Sequence, residues 1–287
     1  MIEVDWAEHY RKNHAKTQFK SEKESKNFWD TFSKNYAKNV LNKKNGWVEN
    51  NIEYLKNEFK IDKNTSILEI GPGPGTYTIP IAKEVNEITV VEQSTGMIDI
   101  LKNRMKEEEI DNINIINKRW DDFKLDADIN PDIVFSSYSL GVDDMESALK
   151  KMNNYAEKYC CILTFGTRQA WRAIYNKIGE SILEHDPKRK EYGMTYILIY
   201  NILYQLGIYA DVKISEKPFL QTFENLDEAA EHYLDRFRAR GDIKLNNEQY
   251  SKIKEILSNE LTKTEDSWKF EKNSKEAMMW WKKEQNI

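Results

Sequence analysis

Two carboxylates, Glu69 and Glu92, bracket an alternating glycine run, Gly71, Gly73 and Gly75, in this 287-residue chain. The glycines follow the apolar, β-type run Ser66 to Ile70 and lead into a helix-like segment that begins at Thr76. A glycine turn of this kind lets the backbone approach a ligand, because no side chain blocks it and unusual φ/ψ are tolerated. The helix that follows aims its free N–H groups and positive dipole end at whatever lies over the loop. Two common ligands are excluded by the spacing. A dinucleotide turn would need glycine where this chain has Thr76, and a phosphate-cradling P-loop would need Gly-Lys-Ser/Thr. The next β-branched run, EITVVE, ends in Glu92, 21 positions after Gly71. An ionised carboxylate there has two acceptor oxygens and can take both hydroxyl hydrogens of a ribose.

The pattern Glu69-x-Gly71-x-Gly73-x-Gly75, followed by a strand ending in Glu92, resembles motif I and the next strand of the class I S-adenosylmethionine (SAM) methyltransferases. The resemblance covers about residues 61 to 166 and implies SAM as cosubstrate. It places Glu69 near the SAM ammonium, the loop glycines under the methionine moiety and Glu92, with Gln93 beside it, at the ribose. By the same likeness Met97 packs on adenine and Asp121 accepts from the adenine amino group with Trp120 beside the ring. A capped turn is the alternative for Asp121. Tyr36, in FWDTFSKNYAK, matches a tyrosine that reaches the SAM carboxylate; packing of the stripe Phe28, Trp29, Phe32, Tyr36 against the main domain is a compatible reading. The segment FSSYSLGVDD would shape the acceptor site, with Ser137, Tyr138 and Asp143 orienting an acceptor or taking its proton. Asp143-Asp144 equally suits the opening of the Met145 helix. That segment lacks the Asn/Asp-Pro-Pro-Tyr/Phe signature of amino-directed enzymes, which argues against methylation of a base nitrogen.

Lysines and arginines number 43 against 48 aspartates and glutamates, for a net charge of −5. With the two signs interspersed, no nucleic-acid partner is expected. The opening MIEVDWAEHYRK has no apolar signal core, and no run approaches the ~20 apolar residues of a spanning helix, so neither export nor a membrane partner is expected. Cys160 and Cys161 are adjacent in a strand-like run and must point to opposite faces, which reads as core packing in a reducing cytoplasm. His9, His14, His185 and His232 share no ligand spacing, and no metal site is expected.

These residues need elements to hold them. Helices are expected at Trp6–Lys12, Lys26–Asn39 and Val48–Glu58, making residues 1–60 an N-terminal helical lid. Strands are expected at Ser66–Ile70, Ile88–Glu92, Ile113–Asn117, Asp132–Ser137 and Tyr159–Phe165, alternating with helices at Thr76–Val85, Thr95–Glu109 and Met145–Glu157. Ser94 is the expected N-cap of the second of these. Further helices are expected at Trp171–His185, Met194–Leu206, Leu226–Arg238 and Asn247–Leu261. The breaker Asp186-Pro187-Lys188-Arg189-Lys190 separates the first two. Ala210–Ser215 and the terminal EAMMWWKKE read as the last strands. Tyr196, Tyr200 and Tyr204 recur as a stripe that is either core or an aromatic wall of an acceptor pocket.

The alternation implies an α/β fold, and the resemblance makes it Rossmann-like: a seven-stranded, mostly parallel sheet with helices on both faces. A SAM-binding catalytic domain over 61–287 would then carry a helical insertion at about 168–207. The function implied is methyl transfer to a small-molecule acceptor. Alternatives are an RNA or protein methyltransferase, a SAM-binding protein without transfer activity, or transfer of the aminocarboxypropyl group.

Overall fold

The β-branched runs of the first half form parallel strands, because most are joined by a helix that crosses back over the sheet. The computed structural model describes residues 4–17, 22–41, 46–126, 129–167, 169–182, 195–217, 219–238 and 244–284. Three helices come first, α1 (Trp6–Thr17), α2 (Glu22–Leu41) and α3 (Trp47–Phe59). The central run is β1 (Ser66–Ile70), α4 (Thr78–Ala82), β2 (Glu87–Val91), α5 (Thr95–Glu107), β3 (Ile113–Ile116), β4 (Ile133–Ser137), α6 (Met145–Tyr155) and β5 (Tyr159–Phe165). Then follow α7 (Arg172–Ile182), α8 (Tyr196–Gln205), β6 (Asp211–Glu216), β7 (Phe219–Phe223), α9 (Leu226–Arg238) and α10 (Asn247–Glu260). The chain closes through β8 (Thr262–Lys263), β9 (Trp268–Lys272) and β10 (Lys275–Lys282). The breaker at 186–190 lies outside the described residues. Among those described, no helix is long and apolar enough to cross a membrane.

The main sheet has seven strands in the order β3-β2-β1-β4-β5-β10-β6. All pairs are parallel except those of β10, which runs antiparallel between β5 and β6. Alternation along each strand feeds two cores. Leu68, Val134, Cys160, Met279 and Trp281 face α1, α6 and α8, while Ile67, Val90, Phe135, Cys161 and Met278 face α3 and the helices after β1 and β2. The adjacent cysteines are thus split between the two faces, and both are free thiols.

Two expectations are corrected. The helix expected over Thr76–Val85 is only Thr78–Ala82. Pro80 has no N–H to donate back to Thr76, and the preceding glycines hold the chain in turns. The insertion at about 168–207 is not one body either. Helix α8 lies on the main sheet through Ile199, Ile202 and Leu203. Helix α7 leaves it to join a second core with α9, α10 and a three-stranded sheet, β7-β9-β8, that the sequence pattern did not reveal. Tyr175 and Phe237 stack there at 4.0 Å.

Residues 1–60 likewise spread over three places. Helices α1 and α3 pack on opposite faces of the sheet, and α2 crosses its carboxyl edge against α5. Asp30 docks α2. Its carboxylate accepts from Ser94 Oγ at 2.7 Å, Thr95 Oγ1 at 3.2 Å and Gly96 N at 3.1 Å, with Lys26 Nζ at 3.0 Å. Ser94 is at the same time the N-cap of α5, accepting from Met97 N. Gly96 permits the approach, since a Cβ there would come within 2.7 Å of Ser33 Oγ.

Asn153 locks the far end of the sheet. Its Oδ1 accepts from the Trp281 indole at 3.1 Å and from Glu284 N at 3.0 Å, and its Nδ2 donates to Glu284 O at 2.8 Å. Asn153→Ala strands the buried indole N–H, so urea unfolding is expected to show a loss of about 2–3 kcal/mol; a change below ~0.5 kcal/mol would count against this lock. For Asp30, burial alone would raise the carboxyl, but its hydrogen bonds and Lys26 outweigh that and hold it below the ordinary value. A depressed carboxyl contributes stability above its unfolded pKa, about 4, and loses it as pH falls through the folded value. Hydrogen exchange of the α2 amides is therefore expected to quicken selectively in acid, and Asp30→Ala to reproduce that loosening at neutral pH.

Candidate active site

Strand β1 runs out at Ile70 into a loop whose three glycines all have positive φ, +63°, +56° and +81° for Gly71, Gly73 and Gly75. Each is required for a different reason. A Cβ on Gly71 would come within 2.4 Å of Ser139 Cβ, and one on Gly75 within 2.5 Å of Leu101 Cδ1. Gly73 faces open space, with only Tyr36 Cε1 at 3.8 Å from such an atom. Arg104 of α5 braces the outside of the turn by donating to Pro74 O at 2.9 Å and Gly75 O at 2.8 Å.

Glu92, just past β2, ties two loops together. Its Oε2 accepts from Gly73 N at 3.2 Å and its Oε1 from Ser94 N at 2.8 Å. Burial raises its carboxyl above the ordinary range even so. Glu69, on the neighbouring strand, is only 2% exposed and forms no ion pair among the described residues. Burial, with the nearby charge of Glu92, pushes its carboxyl up to about 8.

Both acids face a cavity of about 450 Å³ at the carboxyl ends of β1, β2 and β4. This is the switch point of the sheet, where β2 and β4 lie on either side of β1. The same cavity collects Tyr36, Gly71, Gly73, Gln93, Met97, Trp120, Asp121, Ser137 and Tyr138. Gly75 and Asp143 are not in its lining. Gly75 turns toward Leu101, and the exposed Asp143 holds Arg119 Nη2 at 3.0 Å, the same nitrogen that Asp121 holds at 2.7 Å. Asp144, beside it, caps α6 by accepting from Glu146 N and Ser147 N. Buried Trp120 Nε1 and Gln93 Oε1, both on this wall, have no hydrogen-bond partner. Helix α2 covers the opening with Phe28, Trp29, Phe32 and Tyr36.

Beside the loop lies a buried polar network that sequence reading did not anticipate. Tyr138 has a φ of +56°, rare for a side chain of its size. Its hydroxyl donates to Glu276 and accepts from Lys217 Nζ at 2.7 Å. Lys217 also pairs with Glu276 at 3.0 Å and sits 3.5 Å over the Trp47 ring. Asn51 closes the set, donating to Glu276 Oε1 at 2.5 Å and to Tyr77 Oη at 3.0 Å. Burial and the Glu276 charge push the Tyr138 phenol well above its ordinary value. Tyr138 thus keeps its proton and orients neighbours instead of acting as a base. One local signal existed, a glutamate inside the otherwise apolar terminal strand. The partners come from β10, α3 and the segment after β6, which only the sheet brings together.

The remaining wall comes from the second core: Trp171 and Arg172 near α7, Lys217 and Phe219 near β7, and His232 and Arg236 on α9. Tyr196, Tyr200 and Tyr204 are not part of it. Tyr196 and Tyr200 pack against the main core and Tyr204 is 60% exposed, because the apolar face of α8 fixes the helix rotation; only Leu198 reaches the cavity.

Residues 67–158 match the model of a methyltransferase domain. An uncharacterized protein of Haemophilus influenzae is 26% identical over 190 residues, 66% of each chain. A probable ribosomal RNA small subunit methyltransferase A of Methanosphaera stadtmanae is 37% identical over 68 residues, 24% of this chain and 25% of that protein. The chain therefore spans just under two thirds of the first relative and about a quarter of the second. Magnesium protoporphyrin IX methyltransferase from Synechocystis, whose crystal structure holds SAH, superposes with a TM-score of 0.51 at 10% identity, covering 89% of this chain and 97% of that one. At that identity the likeness is one of fold. The domain match falls on the stretch that builds the glycine loop and carries both buried acids, and over that stretch the chain is similar to a methyltransferase domain.

Proposed function

We propose that this enzyme transfers the methyl group of SAM to a small-molecule acceptor enclosed between the sheet edge, α2 and the α7–α9 wall. The observation that carries the proposal is the pair of buried carboxylates, Glu69 and Glu92, facing one covered cavity from either side of the glycine loop. The residues suit SAM. Glu92 uses one acceptor position on each oxygen for backbone N–H groups, and a carboxylate offers about four, leaving room for two ribose hydroxyls. Glu69, buried without a cation, would gain a counter-charge from the methionine ammonium. The open face of Gly73 would admit the methionine chain beneath Tyr36. The unpartnered Gln93 Oε1 and Trp120 Nε1, with Met97 and Asp121, would border the adenosine.

When bound, SAM supplies a methyl carbon already activated by its sulfonium. The protein's part is then to align the acceptor and exclude water, and alignment alone can recover about 7–11 kcal/mol of barrier. Ser137 and Tyr138 border the place where the acceptor would sit, Tyr138 held by Lys217 and Glu276. Asp143 lies outside the cavity and is left to its arginine. The covered cavity and the net charge of −5 favour a small acceptor over RNA. Labelled methyl groups should accordingly pass into a low-molecular-mass extract, not into RNA or protein fractions; label confined to RNA would reverse the choice.

Calorimetry with S-adenosylhomocysteine tests the cofactor placement. Glu92→Ala is expected to cost about 1–3 kcal/mol, the range for leaving polar groups without a charged partner. Tyr36→Phe should cost less. Affinity should also rise with pH up to about 8, because an ammonium binds the ionised form of Glu69. Glu69→Gln should flatten that slope, and a slope unchanged in the variant would dissociate Glu69 from the ammonium.

A further inference from the structure

The main sheet ends unequally on its two sides. Strand β3 has four residues, whereas β6, at the other edge, has six. Lys217 N donates to Ser274 O at 2.9 Å, and bonded positions alternate along an antiparallel pair. Asp211, Lys213 and Ser215 therefore turn their backbone groups to β10, while Val212, Ile214 and Glu216 turn theirs outward. Among the described residues no strand pairs with that outer row. Such an edge is a template for another chain unless it is blunted. Apolar surface gathers beside it. The large hydrophobic side chains that stand exposed among the described residues are Val4, Ile197, Tyr204, Tyr209 and Ile214. Ile197 and Tyr204 belong to α8, Ile214 to β6, and Tyr209 to the link between them. Val4 O accepts from Gln205 Nε2, at the end of α8, at 2.8 Å. Tyr209 is 73% exposed and meets the Tyr204 ring edge-on at 5.7 Å. Exposed hydrophobic side chains scattered singly are ordinary, but a group of them marks an interaction site. Val212 lies on the α8 side of the sheet. The opposite face of β6 carries Asp211 and Lys213, with Lys213 Nζ 3.5 Å from the centre of the Tyr54 ring of α3.

We propose that β6 is a homodimer interface, in which the strand pairs antiparallel with β6 of a second copy about a two-fold axis at Val212. The occupant follows from the strand being complementary to itself, and charge sets the register. Residues directly opposite each other across an antiparallel seam share a face, where unlike charges attract and like charges repel. An axis at Asp211 or at Lys213 would set that charge against its own copy. An axis at Ile214 would set Glu216 against Val212 on the apolar side. With the axis at Val212, Asp211 of each copy faces Lys213 of the other, giving two ion pairs. The outward backbone groups of Val212 and Ile214 then bond across the seam. Their side chains fall on the side of α8, where the exposed residues of the two copies come together. A two-fold contact of this kind closes on itself and stops at two chains.

Sedimentation velocity of the full chain tests this. Over about 1–100 µM the mass is expected to rise from 34.0 kDa to twice that value. Asp211→Lys and Lys213→Glu each set like charges across the seam and should weaken the dimer at least about tenfold. Mixed together, the two variants should associate again, because one strand then carries two positive charges and the other two negative ones. That recovery also shows that both variants are folded. Ile214→Pro removes an outward N–H while leaving the bonds to β10, and should weaken the dimer with an unchanged urea midpoint at low concentration. A parent that stays at 34.0 kDa throughout overturns the proposal, as does association beyond two chains. A dimer that survives both charge variants overturns it too, by placing the contact elsewhere. So does failure of the mixed variants to associate.

Discussion

The bidentate grip of Glu92 on Gly73 N and Ser94 N is the constraint on which the site depends. One carboxylate fixes the shape of the glycine loop and the entry of α5 together. From that entry Asp30 of α2 takes its own three hydrogen bonds, so the cover of the cavity is registered to its floor through three consecutive residues, Ser94, Thr95 and Gly96. A glutamine at 92 would offer a single carbonyl oxygen for two backbone donors. The interactions are short-range and directional, which is why a loop rich in glycine is held in one conformation.

A buried carboxyl must either be paired or keep its proton, and this chain shows both cases. Glu276 is satisfied internally by Tyr138, Lys217 and Asn51, which brace that side of the cavity. Glu69 pairs with no cation among the described residues, and its burial raises its carboxyl instead. Two glutamates with similar burial are therefore held differently: one is ion-paired within the wall, and the other is not. Tyr138 holds its left-handed backbone because Phe165, Lys217 and Glu276 all pack on its ring or hydroxyl.

The second core explains how a standard sheet edge becomes a partly covered cavity. Helices α7 and α9 and strand β7 stand beyond the carboxyl ends of β4 and β5, where an open sheet would meet solvent. Their aromatic and basic side chains complete the wall that the glycine loop begins. Helix α2 bridges the two units, its Asn35 bonded to Asp235 and its Lys38 to Glu228.

Much of this was legible in the residues. The bounds of β1 and β5, the Ser94 cap, the opposite facing of Cys160 and Cys161, and the gathering of Glu69 and Glu92 at the strand ends all follow from local rules of period, capping and glycine geometry. Those rules act within a few residues and so are written in the sequence. The small sheet was not legible, because FLQTF carries no clear alternation, WKFEK alternates over only five residues, and their pairing is decided by α7, α9 and α10 packing on them. The same holds for Lys217 beside Tyr138, for Arg236 over Trp171 and for the rotation of α8 away from the cavity. A side chain's period names the face it belongs to. Only long-range packing decides what that face will meet.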